Sequence, residues 1–207
     1  MSEPPTKRTV AFIDGQNLFH AAKEAFGYTF PNYDVTQLAH AACRVKSWSL
    51  HNVCFYTGVP DKADKPFWNE FWQNRLRTMS RSGVRVFSRS LRYRNKKVKL
   101  PGGEVYTFLV GEEKGVDIRI ALDIVRMARR GDFDVALVFS QDQDLSEVAD
   151  EIRAIAKEKD RWIKMASAFP ISPTSRNKRG INKTDWVPID RQMYDACIDP
   201  RDYRPKK

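Results

Sequence analysis

The stretch Val135-Ala136-Leu137-Val138-Phe139-Ser140-Gln141-Asp142-Gln143-Asp144-Leu145 passes from an apolar run into a helix and carries two carboxylates at the turn. Its first five residues are β-branched, aliphatic or aromatic without alternation, which predicts a short strand buried on both faces of a parallel sheet. Beyond it Leu145, Val148, Ala149, Ile152 and Ile155 recur at helical spacing. Asp142 and Asp144 therefore stand at the carboxyl end of a strand and in the first turn of a helix, where open α/β sheets bind their ligands. A plainer role competes, because aspartate is a favoured N-cap and is stabilised by the positive end of a helix dipole. Capping accounts for one acid; the second calls for other chemistry.

The same pattern recurs near the start of the chain. Thr9-Val10-Ala11-Phe12-Ile13 is an apolar run that ends in Asp14-Gly15-Gln16-Asn17 and passes into a helical segment from Leu18 to Phe26. Asp14 is thus a second strand-end acid, with a turn or cap as its competing role. Further along, a helix is expected between Asp34 and Lys46, and a strand over 51–56 followed by a loop at Thr57-Gly58-Val59-Pro60. A helix from Pro66 to Ser82-Gly83 carries Trp68, Phe71, Trp72, Leu76 and Met79, a stripe assigned to the core rather than to base stacking. Strands over 84–91 and 161–169, an edge piece at 186–189 and a short helix over 191–197 complete the pattern. Alternation of this kind predicts an α/β fold with a mostly parallel sheet, whose strand ends share one edge.

Another acid stands out by its helical position. Asp117, Ala121, Ile124, Val125 and Ala128 follow one helical stripe, which would place Asp117 at the top of the sheet-facing side. Asp123 has Arg119 four residues before it and Arg126 three after, and is expected to form a structural ion pair. Asp117 has no such partner, and burying it is costly unless a cation meets it. Gathered at one edge, Asp14, Asp117, Asp142 and Asp144 would repel one another unless a divalent ion compensated them. Oxygen-only ligands favour Mg²⁺ or Mn²⁺ over zinc.

Charge names a partner for such a site. The chain has 207 residues and a formal net charge of +10, a balance that points to an anionic partner, nucleic acid first and a membrane surface second. No run has the length of a membrane span and the N-terminus has no signal-peptide core, so a cytoplasmic protein with no membrane partner is expected. Cys43, Cys54 and Cys197, and His20, His40 and His51, are scattered, which speaks against a disulfide framework, a zinc knuckle or a Ser-His-Asp triad. Arg92-Tyr93-Arg94-Asn95-Lys96-Lys97-Val98-Lys99, the turn Pro101-Gly102-Gly103 and Val105-Tyr106-Thr107-Phe108-Leu109 read as a hairpin at about 91–109. With Arg85 and Arg89 before it, this one-signed run suits phosphate binding by Arg92, Arg94, Lys96, Lys97 and Lys99, with stacking on Tyr93. Arg176, Lys178 and Arg179, in a loop rich in proline, serine and basic residues, are further phosphate contacts in prospect. A metal held by carboxylates beside a basic groove implies phosphodiester hydrolysis.

Three motifs, Phe12-Ile13-Asp14-Gly15-Gln16-Asn17-Leu18, Lys114-Gly115-Val116-Asp117 and Ser140-Gln141-Asp142-Gln143-Asp144-Leu145, resemble those of the NYN domain, the LabA-like or DUF88 branch of the PIN-like nucleases. The resemblance spans about residues 9–169. It implies a three-layer α/β/α domain around a central parallel sheet and metal-dependent cleavage of RNA, single-stranded or structured. It also implies that Asp14, Asp117, Asp142 and Asp144 bind the metal, that Asn17 lines the site and that Lys114 touches the substrate phosphate. Gln141 and Leu145 depart from it, standing where the family has glycine and phenylalanine. The resulting expectation is one domain over 9–198 between a flexible segment at 1–8 and a basic, mobile tail at 199–207, with homo-oligomerisation left open. A non-catalytic RNA-binding protein is the alternative; a nucleotide-binding or phosphatase-like domain is disfavoured by the lack of a Walker A or G-x-G-x-x-G motif.

Overall fold

The structure, a computed structural model, describes residues 2–205; Met1 and the last two residues of the expected basic tail, Lys206 and Lys207, lie outside the described residues. Seven of the strands and the helices between them follow the sequence in the order β1 (Arg8–Asp14), α1 (Gly15–Phe26), α2 (Val35–Val45), β2 (Ser49–Val59), α3 (Pro66–Arg81), β3 (Arg85–Ser90), β4 (Arg92–Lys99), β5 (Val105–Glu112), α4 (Val116–Arg130), β6 (Val135–Phe139), α5 (Ser146–Glu158) and β7 (Lys164–Pro170). An edge strand β8 (Asp185–Ile189) and a one-turn helix α6 (Arg191–Asp195) follow, and a 3-10 turn, Gln143–Leu145, precedes α5.

Six strands form one parallel sheet in the order β3-β2-β1-β6-β7-β8. The chain leaves β1 in one direction through β2 and β3, then returns to the other side of β1 with β6. Strand order therefore reverses between β1 and β6, and the carboxyl ends of these two strands flank the crevice in which such sheets place ligands. Alternation along the central strands divides the core into two layers. Ala11, Ile13, Val135, Leu137 and Phe139 pack with α1, α2, α3 and α6, whereas Val10, Phe12, Ala136 and Val138 pack with α4 and α5. This is the expected α/β/α sandwich, and both faces of the sheet are covered, which explains why its strands read as unbroken apolar runs.

Three expectations need correction. Thr57, Gly58 and Val59 are not a loop: they extend β2 and pair with Ser88, Arg89 and Ser90. The described part of the basic tail is anchored, because Tyr203 is buried edge-on to Phe71 and its hydroxyl donates to Asp199 at 2.7 Å. The buried stripe of α4 lies one residue earlier than its sequence pattern implied, running through Val116, Ile120, Asp123, Ile124 and Met127. Asp117 sits at the margin of that face, and Asp123 is the acid within it. Arg119 and Arg126 each meet Asp123 at 2.8 Å, and the Tyr56 hydroxyl donates to it at 3.1 Å. Asp123→Ala would strip a buried phenol of its acceptor and two arginines of their pairing; it is expected to destabilise the protein by about 1–3 kcal/mol, read as a lower midpoint in urea with an unchanged slope.

Candidate active site

Two of the acids at the carboxyl edge, Asp14 and Asp142, are placed by the local structure that caps the helix after them. Asp14 ends β1 and accepts the amide of Asn17 at 3.0 Å with Oδ1, capping α1. Asp142 caps the 3-10 turn by accepting the amide of Asp144 at 3.0 Å with Oδ1, after its own amide has donated to Ser140 Oγ at 3.1 Å. The capping role and a functional one are thus compatible, since one carboxylate oxygen caps and the other stays available. Asn17 joins the two loops: its amide binds Asp14, and its Oδ1 accepts the amide of Gln141 at 2.9 Å. It fixes the spacing of the acids rather than lining the cavity between them.

That cavity, of about 230 Å³, is lined by Asp14, Glu113, Lys114, Gly115, Val116, Asp117 and Asp142. It brings together three of the four expected acids and Lys114. Asp144 is not among its lining residues; it is exposed in the first turn beyond Asp142. In its place stands Glu113, absent from the sequence-based site because it belongs to no strand end of the sheet. It follows the return strand of the hairpin, which carries it across to the end of β2, where its carboxylate accepts the amide of Gly58. Gly58 has no room for a side chain, since a Cβ would lie 2.5 Å from Leu91 and 2.7 Å from Glu113 Oε2. The Glu112-Glu113-Lys114-Gly115 run was the available signal, but only the folded hairpin shows which of its two glutamates turns inward.

Electrostatics separates this cluster from the structural acids. On the opposite edge Asp134 is met by Arg8 and Arg161; burial pushes its carboxyl up, but these hydrogen bonds outweigh it and hold the group below its usual range. Within the described residues Asp14, Glu113, Asp117 and Asp142 have no ion-pair partner. Asp14 is 7% exposed. Burial first, and then the charges of Asp142 and Asp117, push its pKa up to about 6 despite the capping amide. Burial and the charge of Asp14 push Glu113 up to about 7. Among the described residues no three His, Cys, Asp or Glu side chains are placed as a ready ligand set for a metal ion. The donor chemistry nonetheless fits a hard divalent ion: all the donors are oxygens, they are crowded, and none is ion-paired among the described residues.

The rim also departs from expectation. Tyr93 is held in place: its hydroxyl accepts the amide of Asp61 at 2.9 Å and its ring lies against Gly111. Arg94, Lys96 and Lys114 converge on one carboxylate, Glu112, at 2.5, 3.2 and 3.9 Å. Arg92, Lys97 and Lys99 are exposed along β4. The aromatic pair open to solvent is Tyr106 and Phe108, stacked with centroids 6.0 Å apart on the face that also carries Lys96 and Arg94. Gln141 and Gln143 bind the loop over 177–182: Gln141 Nε2 donates to the carbonyl of Arg179 at 2.8 Å, and Gln143 Nε2 to that of Gly180 at 3.1 Å. Leu145 is buried in the core layer that α4 and α5 cover. The two departures from the family motif thus pack the loop instead of disrupting it.

The acid-lined cavity lies at the switch point of a parallel α/β/α sheet, the position at which such folds bind ligands. The chain belongs to the NYN domain family, whose model matches residues 8–168. Membership makes it a nuclease-like domain of RNA-related function, in a group that generally uses divalent metals. A crystal structure of a protein of unknown function from Vibrio parahaemolyticus is similar over 92% of this chain and 98% of its own, with 18% identity and a TM-score of 0.53, a likeness of fold alone. A ribokinase from Giardia lamblia, with 10% identity, aligns over 83% of this chain and 50% of its own at a TM-score of 0.37. The comparison with curated proteins gives no match. Among the described residues no helix is long and apolar enough to cross a membrane.

Proposed function

We propose that the chain is a metal-dependent ribonuclease that hydrolyses phosphodiester bonds at the cavity between β1, β6 and α4. The observation that carries this reading is the contrast in pairing. Asp123 and Asp134 are each met by two arginines, while the four carboxylates that share one cavity have no ion-pair partner among the described residues. Evolutionarily neutral capping would not require that crowding; a Mg²⁺ or Mn²⁺ ion held by Asp14, Asp117 and Asp142 with Glu113 would relieve it and supply an activated water and charge stabilisation at the phosphate. The chain's own groups divide the remaining work. Lys114, exposed at the cavity rim, orients the scissile phosphate. Glu113 completes the oxygen set, its carboxylate oriented by the amide of Gly58. Asn17 holds the Asp14 and Asp142 loops in register, and Asp144 is assigned an outer role on metal-bound water. The exposed basic residues of the hairpin hold the flanking RNA backbone.

Incubation of the purified protein with RNA and DNA in Mg²⁺, Mn²⁺ or EDTA tests this directly. RNA cleavage is expected with either metal and not with EDTA, to be lost in Asp117→Asn, and to be reduced much less in Asp144→Asn. Cleavage that persists in Asp117→Asn, or in EDTA, would sink the proposal. RNA binding with no cleavage under any of these conditions would select a second reading, an RNA-binding protein without turnover.

A further inference from the structure

From the structure we infer that single-stranded RNA leaves the acid cavity along a groove between α1 and α3 and seats an unstacked base in an aromatic pocket at its far end. The inference rests on the nuclease reading and adds to it a substrate form and a second binding site. Two cavities beyond the acid cluster form the groove. The first, of about 300 Å³, begins at Gly15 and Gly58, and the second, of about 670 Å³, lies beyond it. Gly15 directly follows Asp14, and the Gly58 amide is held by Glu113, so the near end adjoins the acids. Thr29, Pro31 and Trp68 line both cavities and make them continuous.

The two parts differ in chemistry in the way a nucleotide chain does. The first is lined by Lys23 and Lys65, both exposed, with no acid among its lining residues and no ion-pair partner for either lysine among the described residues. Such unpaired cations suit backbone phosphates. In the second, Arg201 is paired with Asp199 and Asp34, and Arg204 with Asp202, so its charges are already neutralised. What remains is aromatic: Phe30 is 47% and Phe67 46% exposed, and Trp68 packs edge-on between Phe67 and Phe71. Trp68, on the aromatic stripe of α3, packs against the core and also lines both cavities, and Phe67 before it is exposed at the groove. Exposed rings in a charge-neutral pocket, joined by unpaired lysines to a phosphodiester-cleaving site, fit a base splayed out of a single strand. They do not fit a duplex, whose bases stay stacked.

The test is binding of a labelled single-stranded oligoribonucleotide and of its duplex, by fluorescence anisotropy in EDTA, where cleavage plays no part. Phe30→Ala and Phe67→Ala alter exposed rings and leave the core intact, which thermal melting verifies. Each is expected to weaken single-strand binding about tenfold and to leave duplex binding unchanged. Lys23→Ala and Lys65→Ala are expected each to lower the slope of log affinity against log salt by about 0.7. Unchanged single-strand affinity in the ring variants, or equal losses for duplex, would overturn the inference. So would a dimer seen by sedimentation and abolished by the same substitutions, which would assign the pocket to a second copy of the chain. Because binding is read without metal, loss of affinity in these variants beside no RNA cleavage by the wild-type protein in Mg²⁺ or Mn²⁺ would leave the groove standing and the nuclease reading fallen.

Discussion

Asp14→Asn is expected to abolish metal-dependent RNA cleavage while making the metal-free protein more stable at neutral pH. The two effects have one cause. Asp14 is buried, beside Asp142 and Asp117 and without an ion-pair partner among the described residues, so its charge is disfavoured and its pKa lies near 6. At pH 7.5 the folded protein must nevertheless keep it ionised, at a cost of about 3 kcal/mol relative to the unfolded chain. Asparagine removes that charge and keeps an Oδ1 to cap α1 through the amide of Asn17, since asparagine is as good a cap as aspartate. A gain of about 2 kcal/mol is therefore expected, or about 6 °C in melting temperature for a chain of this size. Loss of a carboxylate central to the proposed metal site removes several kcal/mol of transition-state stabilisation, a fall in rate on the order of 10³. Asp14→Ala is the control, because it forfeits the cap and gives back about 1 kcal/mol of the gain. A variant that cleaves at the wild-type rate refutes the role of Asp14. One that loses cleavage but melts lower than wild type shows misfolding, and would remove the stability argument.

That trade separates what a sequence can reveal of this site from what it hides. Asp14 and Asp142 were legible because a strand ending in an acid before a helix is a local pattern, and parallel β strands bring such ends to one edge whatever the details of packing. Asp117 was found by a stripe that proved to be displaced by one residue: Ala121 and Val125 are apolar but only border the core, while Asp123, charged and flanked by arginines, lies inside it. Side-chain chemistry alone does not say which of two adjacent helical faces is buried when both carry an acid. Glu113 was hidden for a different reason. Its position depends on where a hairpin absent from the sheet folds back, a contact with Gly58 that is 55 residues away in the chain. Tyr93 and the first turn of α3 illustrate the same limit: whether an aromatic ring is pinned, buried or open is settled by tertiary neighbours, here the Asp61 amide for Tyr93 and the mouth of a cavity for Phe67 and Trp68. The fold itself was more legible than the site, since two buried sheet faces leave their mark on every strand.

Stability of the metal-free protein is expected to fall as pH rises from about 4 to 7 and to be restored by Mg²⁺ or Mn²⁺. The sign follows from the direction of the shifts. Asp14 titrates near 6 in the folded protein against an ordinary 3.8, and Glu113 near 7 against 4.5. Between those limits the folded chain holds protons that the unfolded chain has released, so raising the pH favours unfolding until both groups are ionised. The acids held low by arginines, Asp134, Asp199 and Asp202, act in the opposite sense and at lower pH, where their loss of charge weakens the fold. The decline from pH 4 to 7 therefore belongs to the cavity, and the double variant Asp14→Asn/Glu113→Gln should flatten it. A divalent ion that binds only the folded site reverses the same penalty. At a hundred times its dissociation constant it contributes about 2.7 kcal/mol, or about 8 °C in melting temperature, and this gain should grow with pH as the ion displaces the retained protons. Melting curves from pH 4 to 8, with and without metal, read both effects. A profile unchanged by the double variant, or an equal metal-induced shift in that variant, would place the titrating groups and the ion outside the cavity of Asp14, Glu113, Asp117 and Asp142.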